Sequence, residues 1–445
     1  MLKTKVALFV VILISFTSFS QKKWTLKDCV NHALENNITI KQNKLNVQLA
    51  ERDVEIAKGN FLPNLNGSSG ANLGFGSTIH PVTNSRVSQN TFGNSYRLST
   101  GVTIFNGFRN LNTLKSARLS VEGNKLDLAK IENDISLNVV NFYLNVLFAK
   151  ENLNVARIQA EISQNQIERA KARFEAGVIP KSDLLNVQST AATDVQNVVN
   201  QENTLNLALL NLRQALQVSS DTFDVLPIDV EAPSAALLYE NAGIVYNNAL
   251  TNRPEIERAK LNIEDADLRI KIAKGAYLPS LTASANAQTN FAHSFDLLPG
   301  QRGNNYLFKQ LNDNLGYGVG ISLNVPLFNR FQTKNNVAKS IINKKVSEFQ
   351  LENQKLQLQQ QIEKSYLDAK AAAKTYETAQ VSLDAQKEAF KNAQESYNYG
   401  SMTQFDFDQV RNRLVNAEGA MIRAKYDYVF KTKVLKFYYG ESILD

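Results

Sequence analysis

The chain has 445 residues, 49 Lys and Arg against 42 Asp and Glu for a formal charge of +7, one cysteine and three histidines. The length allows two or three domains. The lone Cys29 excludes an intrachain disulfide framework and a CxxC metal site, His32, His80 and His293 stand too far apart in sequence for a His-based centre, and the lack of a Lys/Arg block argues against nucleic-acid binding.

Met1 to Lys5 is a short basic region, Val6 to Ile14 an apolar run, and Ser18-Phe19-Ser20 places small residues ahead of a cleavage site before Gln21. Residues 1–20 therefore read as a secretory signal peptide, too short in its apolar part to span a bilayer. Cys29 lies too far downstream to take a lipid anchor, and no later stretch of about 18 apolar residues occurs, so any membrane-embedded part must be a β-barrel.

Ala33–Pro63 aligns without gaps on Ala249–Pro279, an offset of 216, with fourteen identities in 31 positions, both blocks ending in AKGxxLP. A second match runs at an offset of 223 and pairs Phe105-Asn106 with Phe328-Asn329, Gly177 with Gly400 and Asp183 with Asp406. Heptads alone align at many offsets, but coincident Gly, Pro and Asp landmarks require a tandem duplication, placed here as 21–232 and 233–445.

After Pro63 the pattern changes to period two, with Leu65, Gly67, Ser69, Ala71 and Leu73 against Asn66, Ser68, Gly70 and Asn72. Tyr96, Leu98, Thr100, Val102 and Ile104 continue it; Pro279 opens the same arrangement in the second half, and Pro326 closes it. Strands are expected at about 64–75, 96–105, 280–291 and 317–326. Each has the ~9–11 residues of a tilted membrane strand, with aromatic residues at several ends. Four strands cannot close a barrel, which takes about eight, so oligomerisation is required. His80 and His293 fall in the intervening loops, 76–95 and 292–314.

Helix follows. Ile135, Phe142, Ala149, Ala156 and Ala170 stand seven apart, with Ser163 interrupting, and a second series runs Val139, Val146, Leu153, Ala160, Ile167, Phe174. The second half repeats it through Ile362, Ala369, Tyr376, Leu383, Phe390 and Tyr397. Sustained sevens make a coiled-coil seam. A helix from about Gly107 to Ala176 would be roughly 105 Å long, and its return, Lys181–Leu216, roughly 54 Å. One further helix near Val245–Gly275 would make up the deficit, and Val218–Asn241, with Pro227 and Pro233, reads as a side excursion. Narrow, Ala-rich seams suit helices set side by side around a tunnel.

Leader, duplicated halves, two strand pairs and four long helices together resemble the TolC family of outer-membrane efflux ducts, over essentially all of residues 22–440. The most specific residues are the AKGxxLP turns and the loops FEAGVIPKSD (Phe174–Asp183) and YNYGSMTQFD (Tyr397–Asp406). The resemblance implies a mainly α chain with membrane β: a homotrimer whose twelve strands form one outer-membrane barrel and whose helices form a periplasmic α-barrel tunnel. It implies docking to a periplasmic adaptor and an inner-membrane pump, no cofactor, and hairpin tips at about 177–183 and 400–406. By the same resemblance Asp183 and Tyr397 match the network that ties the tip closed, and Asp406 matches an acidic ring at the constriction. As a helix-start residue Asp183 reads equally as a cap, whereas for Asp406 the gating reading is favoured over capping.

Two positions depart from the family pattern. Its gate arginine is Met402 here, and its second acidic position is Gln409, with Asp408 beside it. Closure could then rest on packing of Phe174, Tyr397, Met402 and Phe405. The function implied is a passive exit duct for tripartite efflux or type I secretion; the alternative is a constitutively open general porin, which would need no long helices. Nothing resembles GxSxG, HExxH or a phosphate-binding Gly loop, so no catalytic residues are assigned.

Overall fold

A computed structural model describes residues 23–79, 84–88, 90–219, 223–228, 239–295 and 306–443. The leader, His80 and Pro233 lie outside them. The described residues form two compact units, one drawn from Met1–Leu45, Leu126–Arg258 and Glu352–Asp445, the other from Asn46–Lys125 and Ala259–Leu351. Each unit therefore takes segments from both halves of the sequence.

The helices come in matched sizes. α1 (Leu26–Asn36) and α5 (Ala242–Asn252) have 11 residues, α2 (Ile38–Gly59) and α6 (Pro254–Gly275) 22, α3 (Arg109–Glu175) and α8 (Gln332–Asn398) 67, and α4 (Lys181–Leu216) and α9 (Gln404–Tyr439) 36. A short α7 (Leu307–Asp313) completes the set. Where one helix was expected near Val245–Gly275 there are two. Pro254 disfavours helical geometry at the residue before it, and Arg253 is extended (φ −85°, ψ 124°).

In the first unit α1 begins with a capping box, Thr25 accepting from the Asp28 amide at 3.1 Å while the Asp28 carboxylate accepts from the Thr25 amide at 3.2 Å. Its apolar face, Leu26, Cys29, Val30 and Ala33, packs on Val139, Val140, Tyr143 and Leu147 of α3, on Leu212 and Leu216 of α4, and on Ile422 and Tyr426 of α9. Full burial of each Leu or Val side chain contributes about 1.5–3 kcal/mol. Burial pushes the Cys29 thiol up to about 12, so it is a packing residue with almost no thiolate at neutral pH. The excursion after α4 is pinned to this core: Trp24 bridges Val225, and the Tyr143 hydroxyl donates to the Leu226 carbonyl at 2.6 Å.

In the second unit β1 (Asn64–Gly74), β4 (Thr91–Phe105), β5 (Ser280–Ser294) and β6 (Gly316–Asn324) form an antiparallel sheet in the order β1-β4-β5-β6. A small hairpin joins β2 (Ser77–Ile79) to β3 (Arg86–Ser88). Pro63 and Pro279 directly precede β1 and β5, and Pro326 follows β6. β4 starts at Thr91 rather than near 96, because Thr91–Ser95 pair on one side with Gly74–Gly70 and on the other with Ser294–Asn290. The same ladder corrects His293 from a loop residue to a strand residue opposite Phe92.

The register sorts the sheet into two faces. Leu65, Leu98, Ala285 and Val319 belong to the apolar one; Asn66, Ser99, Asn286 and Gly318 to the polar one. Along β6 the apolar face is not covered: Tyr317, Val319, Ile321 and Leu323 are 85%, 89%, 74% and 64% exposed. Among the described residues no helix is long and apolar enough to cross a membrane.

Candidate functional site

The two long hairpins of the first unit turn by one device. In the first, Gly177 takes φ +75° and the Val178 amide donates back to the Arg173 carbonyl at 2.8 Å. In the second, Gly400 takes φ +74° and the Ser401 amide donates to the Ser396 carbonyl at 2.9 Å. This is a Schellman ending, which needs a left-handed residue, hence glycine. A Cβ at either glycine would meet nothing within 4 Å, so backbone conformation alone sets the requirement.

The return helices start differently. Pro180 heads α4 without a side-chain cap, and Asp183 lies in the first turn. Thr403 caps α9: its hydroxyl accepts from the Asp406 amide at 3.1 Å and donates to the Asp406 carboxylate at 2.7 Å. Asp406 is therefore part of the cap, and its residue remains exposed.

Tyr397 sits between the hairpins. Its ring stacks on Phe407 with centroids 4.9 Å apart, and the Arg173 guanidinium of α3 lies 5.7 Å from its centroid. Burial pushes its hydroxyl above the ordinary phenol range, with Arg173 opposing and Asp408 and Asp183 adding a smaller upward push. Met402 packs with Tyr397 and Phe390 against Ala393, Phe407 and Val410. Phe407 is the aromatic residue that fills this cluster, at 2% exposure; Phe405 is 71% exposed and Phe174 37%. The apolar packing thus includes Tyr397 and Met402, with Phe407 in the place expected for Phe405.

Asp408 stands apart from the other acids of the tip. It accepts from the Gln404 amide at 2.9 Å and lies 3.9 Å from Arg411. Arg411 is the residue that sequence reasoning missed. Only 2% exposed, it donates to the Ser163 hydroxyl of α3 at 2.5 Å and lies 3.3 Å from the Asp194 carboxylate of α4. Ser163 in turn bonds Asp194. Arg169 adds an exposed link, donating to Asn398 at 3.3 Å. Two signals were present: Ser163 breaks the heptad series of α3, and Arg411 falls inside the apolar stripe Phe407, Val410, Leu414, Ala417 of α9.

Among the described residues no group of three or more His, Cys, Asp or Glu is placed to hold a metal ion. The arrangement can hold two helical hairpins together through ionic and aromatic contacts and present an acid at the turn.

The profile of the outer membrane efflux protein family matches residues 29–217 and 245–441. The outer membrane efflux protein BepC of Brucella suis is 22% identical over 92% of this chain and 84% of its own length. The outer membrane protein TolC of Escherichia coli is 24% identical over 68% of this chain and 61% of its own. Among solved structures, the Campylobacter jejuni CmeC outer membrane channel superposes with a TM-score of 0.75 at 18% identity, covering 93% of this chain and 85% of that one. The VceC outer membrane protein of Vibrio cholerae gives 0.74 at 15% identity, covering 94% and 96%.

Proposed function

The chain belongs to the outer membrane efflux protein family, and we propose that it works as a homotrimer whose twelve strands close one outer-membrane barrel and whose helices line a periplasmic tunnel. It is an outer-membrane exit duct of efflux or type I secretion, and its work is passage rather than chemistry. Energy and cargo selection come from an inner-membrane pump that reaches it through a periplasmic adaptor. The halves 21–232 and 233–445 are read as a tandem duplication.

The observation that carries this reading is the sheet: four strands with free edges at β1 and β6 and an apolar face left bare along β6. In water such a surface aggregates, whereas in a closed barrel the apolar face meets lipid, the polar face lines a wet lumen, and β6 of one copy pairs with β1 of the next. Gly59 supports the joint between copies. Its counterpart Gly275 lies against the turn after β4, where a Cβ would meet the Gly107 carbonyl at 2.5 Å, while a Cβ on Gly59 meets nothing within 4 Å of its own chain. The neighbour's turn at Asn329–Phe331, the counterpart of that after β4, is its partner. Gly59→Leu, a good helix former, is expected to leave the monomer folded and to deplete the trimer. Size-exclusion chromatography with light scattering in detergent reads this, and an undiminished trimer would remove Gly59 from the joint.

At the tip, Tyr397 and Met402 close the aromatic cluster while Asp183 and Asp406 face the constriction; Asp408 is engaged by Arg411 and Gln404 and does not contribute to an acidic ring. Two acids from each of three copies in a narrow tunnel focus a negative field. In a planar bilayer the protein is expected to show low, cation-preferring conductance, and Asp406→Ala to lose that preference. A large conductance indifferent to the substitution would favour an open porin, and no conductance at all would sink the barrel.

A further inference from the structure

We propose that Arg97 lines the barrel lumen as a ring of three uncompensated guanidinium groups, one from each copy, and makes the outer section of the duct a filter that favours anionic cargo. The inference rests on the trimeric-duct reading above.

Across β1, β4, β5 and β6, Arg97 is the only Lys, Arg, Asp or Glu. It stands midway along β4, opposite Ser68 of β1 and Gln288 of β5. Register puts it on the polar face, the one that turns to water when the sheet closes. Lipid is thereby excluded as the partner of its charge. The rows on either side, Ser95 with Asn290 and Ser99 with Asn286, are neutral. Its Nη2 donates to Gln288 Oε1 at 2.9 Å, which aims the group without neutralising it.

A neutral amide or hydroxyl would hydrogen-bond this ladder equally well. What arginine adds is a permanent charge, since the guanidinium does not deprotonate in proteins. With no acid on the strands, that charge is left to the solution inside the lumen. A low-dielectric wall around a wet channel focuses the field and raises the local concentration of the opposite ion. The chemistry that fits is a carboxylate or phosphate group, which the guanidinium fork can grip in pairs of hydrogen bonds. Cargo carrying such groups would be drawn outward past the acidic tip into a section of the opposite sign.

The test uses the full mature protein in planar bilayers under a potassium chloride gradient. Reversal potentials are compared for the natural chain, R97K, R97Q and R97E, each also carrying Asp406→Ala so that the acidic tip does not dominate the series. The chloride-to-potassium permeability ratio is expected to hold in R97K, to fall at least about twofold in R97Q and to fall further in R97E. Equal ratios in four conducting proteins would overturn the filter and leave the duct standing. A natural chain that forms no channel would remove the lumen, and both readings with it.

Discussion

Arg411→Met is expected to lower the stability of the helical unit by about 3 kcal/mol, the lower end of what breaking a buried ion pair costs. The guanidinium is almost wholly enclosed, and its removal leaves Asp194 and Asp408 facing an apolar seam without their cation. The loss stays at the lower end because those carboxylates retain 21% and 20% of their side-chain exposure. Thermal unfolding followed by the helical circular dichroism signal reads the loss. An unchanged midpoint would mean that the cluster does not hold α9 against α3 and α4.

The converse variant separates pairing from packing. The cluster is incompletely satisfied: Arg411 Nε, Asp408 Oδ1 and Gln404 Oε1 are buried without a hydrogen-bond partner. Replacing Arg411, Asp194 and Asp408 together by apolar residues of similar volume should therefore recover most of the lost stability. What such a triple variant loses is the registry of the two hairpins, because apolar seams with a seven-residue repeat can slide by one heptad whereas an ion cluster cannot.

Gly107→Ala is expected to destabilise the sheet-bearing unit by roughly 2–5 kcal/mol, through a left-handed backbone and a steric collision acting together. Gly107 takes φ +67°, and a Cβ there would stand 2.2 Å from the Gly275 carbonyl oxygen and 3.0 Å from Leu278 Cβ. The obstacle is backbone, which cannot rotate aside. Arg330, at the matching place after β6, adopts φ 54° and carries a full side chain, so the conformation by itself is tolerable. The collision is the larger part. Hydrogen exchange of the β4 and β5 amides, compared with the natural chain, measures it; equal protection in both would discard the crossing as a determinant of the fold.

How far the site could be read in advance depends on the range of the interactions. The turn glycines, the capping Asp406 and the acid of the first turn, Asp183, are local features, and Gly177 and Gly400 do end their helices in the left-handed conformation expected of them. The choice between Phe405 and Phe407 was not legible. The residues are two apart on one helix and so point to different faces, and only the position of Tyr397 on α8 shows which face is covered. Arg411 was hidden for a related reason: a lone arginine in an apolar stripe has no meaning until partners 248 and 217 positions away, Ser163 and Asp194, arrive beside it.

Sequence alone determined the alternation of long helices with two-faced strands, the hairpin turns and the break of the helix before Pro254, because helical and strand periods, glycine at positive φ and proline at helix breaks all act over a few residues. Tertiary structure decided the rest. It extended β4 and β5 into a common ladder that took in His293, crossed Gly107 over Gly275 and buried Arg411 against Asp194 and Ser163 of the other hairpin. Each of these depends on which distant backbone arrives beside a residue, and periodicity specifies the face a residue occupies but not the partner that covers it.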